Sequence, residues 1–366
     1  MEGFSFAFKV VALSLHMPKL LLQYNDFQKD FLPLTLTRPF INLRIGIITV
    51  ADKWKSIALS QNIDLEFTDE EESADLIWDA RFIPKFSLDI KSFFEQKSAS
   101  DDSFFALKTP WDIVRYNIPL ILDDLPLLKT AFDCDIQVDH VSKTGIHPLY
   151  VHPSARYEHC FINTEEGPVI IDEEACIMQG AMLRGPIYIG KRSIVKMGAT
   201  LYAGTNIGND CIVGGEIKNT IFHAFSNKGH HGYIGDSYIG EWCNMGAGTS
   251  CSNLKNTASE LRAWNMDTSS FIIAGKKAGI LMGDHVKTAI NTAFNSGTVI
   301  GGFSNVFNPD ALMPKYIAPF QWGMEHHYDL DKLLEEVKRW MEMKGQQPTT
   351  SILESIKTYY LKTIQQ

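Results

Sequence analysis

The sequence predicts an α/β domain followed by a parallel β-helix built on a six-residue repeat, with helices at the C-terminal end. Three observations carry this reading. Residues 20 to about 150 mix short β-like runs with helical stretches, the alternation of a layered α/β structure. Then Ile171, Ile177, Leu183, Ile189, Val195, Leu201, Ile207 and Val213 follow one another at an unbroken spacing of six. Helices and ordinary strands have periods of 3.6 and 2, so neither produces this. A coil with three short faces does, because each face turns one aliphatic side chain inward to stack on the next coil. Finally, "DLDKLLEEVKRWMEMKG" places Leu330, Leu333, Leu334, Val337, Trp340 and Met341 at helical spacing.

In chain order, "RIGIITV" and "DLIWDARFIP" read as strands and "ADKWKSIALSQN" as a helix. The six-residue register then opens, with Gly190, Gly198, Gly204, Gly208 and Gly214 at the turns. After Lys218 it lapses for about twenty residues, resumes at Ile239 and Met245, and returns as Met282, Thr288, Phe294, Ile300 and Val306. The lapse contains "SNKGHHGYIGD". An insertion in a solenoid leaves the stack as a loop, and such loops often carry function. The last helix reads as a cap on the open end of the solenoid. Residues 1–155, 156–318 and 319–366 are the expected α/β, β-helix and helical segments.

With 366 residues and 45 % hydrophobic composition, two ordinary cores are expected. The net charge of -9 is spread over both signs, with no basic block to follow a phosphate backbone, which argues against a nucleic-acid partner. Six cysteines without C-x-x-C or framework spacing suit reduced thiols in a cytoplasmic protein. The opening "MEGFSFAFKVVALSLHMPK" lacks a basic leader and an A-x-A site, and its apolar run is too short for a bilayer. It reads as a buried strand or as an extension ahead of a start at Met17. No membrane partner is expected.

The hexapeptide period, with "EIK" ahead of "KGHHGYIGDSYIGEWCNMGAGTSCSN", resembles the left-handed β-helix of glucosamine-1-phosphate N-acetyltransferases. More broadly, residues 20 to 320 resemble divergent proteins classed with the bifunctional enzymes that acetylate glucosamine-1-phosphate and then uridylylate it. The resemblance implies a general base at His230 and a substrate contact at Tyr233. It places the family lysine on Lys218 and the family asparagines on Asn244 and Asn253. Ala247 falls where the backbone lines the acetyl-CoA site. Asn244 is also a candidate donor to the developing oxyanion, and Lys218, Arg184 and Tyr233 are candidates for the substrate phosphate. An imidazole titrating near neutrality suits removal of a proton from a sugar amine attacking a thioester. The implied co-substrate is acetyl-CoA or another acyl-CoA, and the implied assembly is a homotrimer with sites between subunits. His231 reads as a solvent-facing neighbour, Asn244 and Asn253 read equally as turn residues bonding their own backbone, and Arg184 as the outer cover of a coil. The family's later serine position reads Ile290, and its sugar-phosphate arginine falls between Thr200 and Gly204.

The N-terminal domain resembles sugar nucleotidyltransferases in degenerate form. "FLPLTLTRPF" keeps Leu32, Pro33, Leu34, Thr35 and Pro39, but Phe40 stands at the lysine position, and "LLLQYNDFQKD" holds no glycine where a phosphate loop belongs. Arg38 or Arg44 are candidates to replace the missing charge, and Asp79 or Asp123 to hold magnesium, which is needed only if this domain is active.

The leading expectation is an acyl-CoA-dependent N-acyltransferase for an amino-sugar phosphate or nucleotide-linked amino sugar. The alternatives are a magnesium-dependent sugar-1-phosphate nucleotidyltransferase, a zinc hydrolyase using His223, His230 and His231, and a non-catalytic sugar-binding or assembly protein.

Overall fold

The computed structural model describes residues 17–128, 132–134, 140–308 and 312–364. The expectations for residues 1–16 lie outside these. At the N-terminal end, Lys19–Gln23 is the central strand of a three-stranded parallel sheet, between Glu66–Phe67 and Leu76–Asp79. The helix Val50–Ser60 starts where the Thr49 hydroxyl accepts the Asp52 amide at 3.2 Å, a side-chain N-cap, and it buries Trp54, Ile57 and Ala58. "RIGIITV" is not one strand. Arg44–Ile45 turns back on Ile48–Thr49 as a tight antiparallel pair, and the helix begins at Val50.

The rest is a parallel β-solenoid of about ten turns. All eight aliphatic residues of the sequence repeat lie in one continuous buried core. Ile177, Val195 and Val213 pair in register, 18 residues per coil, as three six-residue faces require. The coil pattern reaches back to Ser142–Thr144, which pairs with Phe161–Asn163.

The three faces have different surroundings. Outward residues of the face that carries Ile189 are covered by the α/β domain: Ile221, Tyr238, Leu281 and Val299 join its core, while Ile170 and Tyr188 pack on Ile47 and Ile121. We call this the docked face. The face carrying Val195, the flank face, lies partly under the C-terminal helices Leu330–Glu342 and Thr350–Ile364. The face carrying Leu183 and Leu201 is uncovered, with Phe161, Met182, Arg184, Glu216 and Lys218 exposed. This is the open face.

Two expectations change. The apparent lapse after Lys218 is not an insertion. The inward residues continue as Val213, Ile217, Phe222, Lys228, Ile234, Ile239 and Met245, so the coil is unbroken but its corners are shortened, and a count of six fails. The true excursion is residues 254–278, which leave after the coil strand Ser250–Cys251 and form the antiparallel hairpin Leu261–Asn265 with Ser270–Gly275. It packs on the α/β domain through Leu261, Ala263 and Ala274, and Trp264 stacks on Tyr316.

The C-terminal helices lie along the side of the solenoid, and the reason is a column of corner residues. Where the docked face turns into the flank face, Glu174, Arg192, Asp210, Phe225, Trp242, His285, Phe303 and Phe320 all take left-handed φ between 54° and 63°. The lower members are charged, and Arg192 pairs with Asp210. The upper five are stacked rings, with successive centroids 4.2 to 6.1 Å apart and planes within 15°. Leu333, Leu334, Val337, Met341 and Ile356 of the helices join the cluster that contains this aromatic stretch. Burying it drives the docking.

Candidate functional site

The open face brings most of the expected site residues together. Glu216, Ile217 and Lys218 lie beside Tyr233, Ile234 and Gly235 of the next coil. Met182 and Leu183 pair with Thr200 and Leu201, which pair with Glu216 and Ile217. Arg184 and Lys218 therefore occupy equivalent outward positions two coils apart, about 10 Å along the stack. Both are exposed. Arg184 also meets Glu166 at 2.8 Å.

Gly235 explains the setting of Tyr233. A Cβ there would stand 2.2 Å from the Tyr233 hydroxyl and 3.0 Å from Asn253 Nδ2, so only glycine leaves the ring its place beside the strand. Asn253 Nδ2 donates to the Tyr233 hydroxyl at 2.9 Å and to Asp236 at 2.6 Å, and Asn219 Nδ2 donates to the other Asp236 oxygen at 2.8 Å. Burial, with Asp236 nearby, pushes the Tyr233 phenol up and keeps it neutral. It is thus a fixed hydroxyl. Asn219 and Asp236 were not singled out from the sequence. Their signal is the match of "KNT" with "GDS" one coil later, at a corner where both take left-handed φ.

His230 and His231 stand exposed at the corner between the flank and open faces, three and two residues before Tyr233. Gly232, at φ 119°, ends that corner, and a Cβ on it would lie 2.2 Å from the Thr249 carbonyl. Ala247 sits at the corner of the next coil, where the Gly248 amide donates to the His231 carbonyl at 3.1 Å. Ile290, where the resemblance puts a serine, is exposed on the coil after that.

Asn244 lies elsewhere. It is on the flank face, half-buried, and accepts from Asn227 at 3.3 Å, while Asn227 accepts from Lys344 beyond the first C-terminal helix. The strand that holds it is one face away from Tyr233.

A residue that sequence reasoning missed sits behind His230. Lys228 occupies an inward position of the flank face, in the row of Val195, Val213 and Met245, with 1 % exposure. Its Nζ donates to the carbonyls of Gly214 and His230 at 3.0 Å each. Burial lowers its pKa from 10.5 to about 8, with Cys251 and Glu216 opposing.

The other expected groups are engaged. Phe40 is fully buried, with its ring 4.7 Å from Phe31 and 5.3 Å from Phe27. Asp79 is clasped by Arg81, and Asp123 takes Lys53 at 2.6 Å and the Phe86 amide at 2.9 Å. Both candidate carboxylates are thus already paired with a cationic side chain. Arg44 bonds the carbonyls of Ile47 and His223. His223 is buried against Asn42 and Glu241 beneath the α/β domain, apart from the exposed His230 and His231. Among the described residues, no group of three His, Cys, Asp or Glu side chains is placed to hold a metal.

The fold and this face define a hexapeptide-type β-solenoid joined to an α/β domain. A family model described as sugar nucleotidyl transferase matches residues 20–68. The chain is 33 % identical over 154 residues to a bifunctional sugar-1-phosphate nucleotidylyltransferase/acetyltransferase of Sulfurisphaera tokodaii, covering 40 % of this chain and 37 % of that protein. It is 33 % identical over 112 residues to the bifunctional protein GlmU of Methanocaldococcus jannaschii, covering 31 % and 26 %, and 35 % over 134 residues to GlmU of Xylella fastidiosa, covering 36 % and 28 %. The match thus spans well under half the length of these relatives. Among solved structures, the polysialic-acid-specific acetyltransferase NeuO aligns with 56 % of this chain and 96 % of its own, at 9 % identity and a TM-score of 0.30.

Proposed function

We propose that the chain is an acyl-CoA-dependent N-acyltransferase, with acetyl-CoA the expected donor, acting on an amino-sugar phosphate or a nucleotide-linked amino sugar. The observation that carries the reading is the open face. It presents Lys218 and Tyr233 on neighbouring coils and Arg184 two coils before Lys218, with His230 at its edge and Ala247 on the coil above. Lys218 and Arg184 supply charge for a substrate phosphate, and Tyr233, held by Asn253, supplies a fixed hydroxyl. His230 takes the proton from the attacking amine, and the amine nitrogen then displaces the thiolate from the acyl carbon. The flank-face position of Asn244 makes it a poor partner for the same acyl group within one chain. A second chain packed on the open face brings a flank face or corner to it, so a homotrimer is the assembly proposed. Light scattering that finds a monomer at micromolar concentration contradicts this.

The second reading, a sugar-1-phosphate nucleotidyltransferase, is supported by the family model over residues 20–68. Against it stand Phe40, built into the core, and the engaged carboxylates of Asp79 and Asp123. We therefore assign the α/β domain a supporting role on the docked face. In keeping with a cytoplasmic enzyme, the cysteines whose side chains are described are all unpaired. None of the described helices is long and apolar enough to cross a membrane.

The test is a thiol-release screen of acyl-CoAs against amino sugars, amino-sugar phosphates and nucleotide-linked amino sugars. Turnover with a phosphorylated or nucleotide-linked acceptor supports the reading. Magnesium-dependent pyrophosphate release without acyl transfer favours the second.

A further inference from the structure

A cavity of about 310 Å³ lies at the corner between the docked and flank faces, a different corner from that of His230, and is lined by the α/β domain, the aromatic column and the C-terminal helices. One wall is a buried charge cluster. Arg38 bonds Asp284 at 2.5 Å and lies 3.1 Å from Glu241, Thr37 also bonds Asp284, and Glu241 meets His223 Nδ1 at 2.9 Å. Burial pushes the Glu241 carboxyl up, but its neighbours His223 and Arg38 outweigh it and hold it below the usual carboxylate range. One guanidinium thus faces two carboxyl groups.

The second feature is His285. It is the one imidazole among the five stacked aromatics of the corner column, lying nearly flat between Trp242 and Phe303. A phenylalanine would fill that place equally well as packing. No hydrogen-bond partner meets either ring nitrogen among the described residues, and Nδ1 is fully enclosed. Burial and Lys287 depress its proton affinity well below the ordinary value, so the ring is neutral and carries one donor and one acceptor, both unused. A buried polar group without a partner calls for an explanation. Across the cavity, the last helix turns Ser351, Ser355 and Tyr359 toward it, and no bond to these hydroxyls is found among the described residues. Ile352, Ile356 and Met341 supply apolar surface between them.

We propose that this cavity is a binding site for a small neutral polyhydroxyl ligand of the size of a hexose. Its one lining guanidinium is held by two carboxyl groups within the wall, so no free cation among the described lining residues is left to take phosphate or another anion. What remains free is a neutral imidazole, three hydroxyls and flat apolar surface, the combination that hydrogen-bonds ring hydroxyls at their edges and packs on a sugar's C–H face. The volume is at the lower end for small-molecule pockets. The last helix, with Ile356 as its one buried side chain and Tyr360 bonded to the Tyr328 carbonyl at 2.6 Å, forms the lid.

Saturation-transfer NMR on the full chain, with glucose, galactose and mannose, and with inorganic phosphate and a nucleoside monophosphate as controls, tests this without reference to acyl transfer. The expected result is transfer to at least one hexose at about 1 to 10 mM, weakened roughly five- to tenfold in His285→Phe, which keeps the ring stack and removes the polar atoms. The double variant Ser351→Ala/Ser355→Ala, at exposed residues of the last helix that line the cavity, should weaken the same hexose and serves if His285→Phe does not fold. No transfer to any hexose at about 10 mM, preference for either anion at this cavity, or unchanged hexose binding in the folded variants overturns the proposal.

Discussion

Lys228→Met replaces a buried ammonium with a side chain of similar length in a row whose next member is Met245. The Lys228 pKa, about 8 in the folded chain against an ordinary 10.5, defines the magnitude. Below about pH 8 the lysine is protonated in both states, and folding bears the cost of burying it, about 3 kcal/mol at most. Between about pH 8 and 10.5 the unfolded chain holds a proton that the folded chain has lost, so wild-type stability rises with pH, by about 1.4 kcal/mol at pH 9. At neutral pH the two bonds to the carbonyls of Gly214 and His230 offset much of the burial cost, so the absolute change on substitution is small. The slope is what discriminates. Lys287, also lowered to about 8, is present in both proteins and cancels. Burial raises the thiols of Cys211 and Cys251 to about 11, which costs stability only above their unfolded value near 9. Urea unfolding of both proteins at pH 7, 8 and 9 should show the wild type gaining on Lys228→Met by about 1 kcal/mol. A difference that stays constant across this range refutes the reasoning.

Once an acceptor is known, His230→Ala should lower kcat by roughly two to four powers of ten with a smaller change in KM, while His231→Ala has little effect; both are exposed, so melting temperatures should hold. If His231→Ala is the inactive variant, the assignment of the base is wrong. Asp284→Ala leaves Arg38, 11 % exposed at its side chain, with Glu241 alone, and removes the acceptor for Thr37 and the Glu241 amide. It should cost about 3–5 kcal/mol in urea unfolding, and a loss below about 1 kcal/mol contradicts the role given to this cluster. Pyrophosphate release from nucleoside triphosphates, with any sugar-1-phosphate and magnesium, should stay at background, and Phe40→Lys should not restore it, because it puts an ammonium into the packed rings of Phe27 and Phe31. Robust release by the wild type would show the domain to be active.

The solenoid was legible where every inward residue was aliphatic and every corner had the same length, as from Ile171 to Val213. It became illegible at Asn219, because spacings of four and five separate Val213, Ile217 and Phe222, and because a lysine fills the inward place at 228. The hairpin had a readable signal in the runs "LRAWN" and "SFIIAG" on either side of "MDTS", since a strand-turn-strand pattern has no place in a six-residue period. Lys218, Tyr233 and Asn253 were reached through the family resemblance, and the structure puts them together because consecutive coils stack in register. Arg38 was not, for its partners Glu241 and Asp284 lie more than two hundred residues away and nothing local records them.

The corner column has a consequence for how such a chain changes over time. Each coil offers one side chain at the same left-handed corner position, and its character alters what settles there without altering the coil. From Glu174 to Asp210 the corner is ionic and wet, and from Phe225 to Phe320 it is a landing strip for helices. Moving the border between the two requires only exchanges at single corner residues, so an accessory segment can be shifted along the prism one coil at a time. The backbone that carries the open face is untouched by such exchanges, which separates the history of the appendages from that of the site.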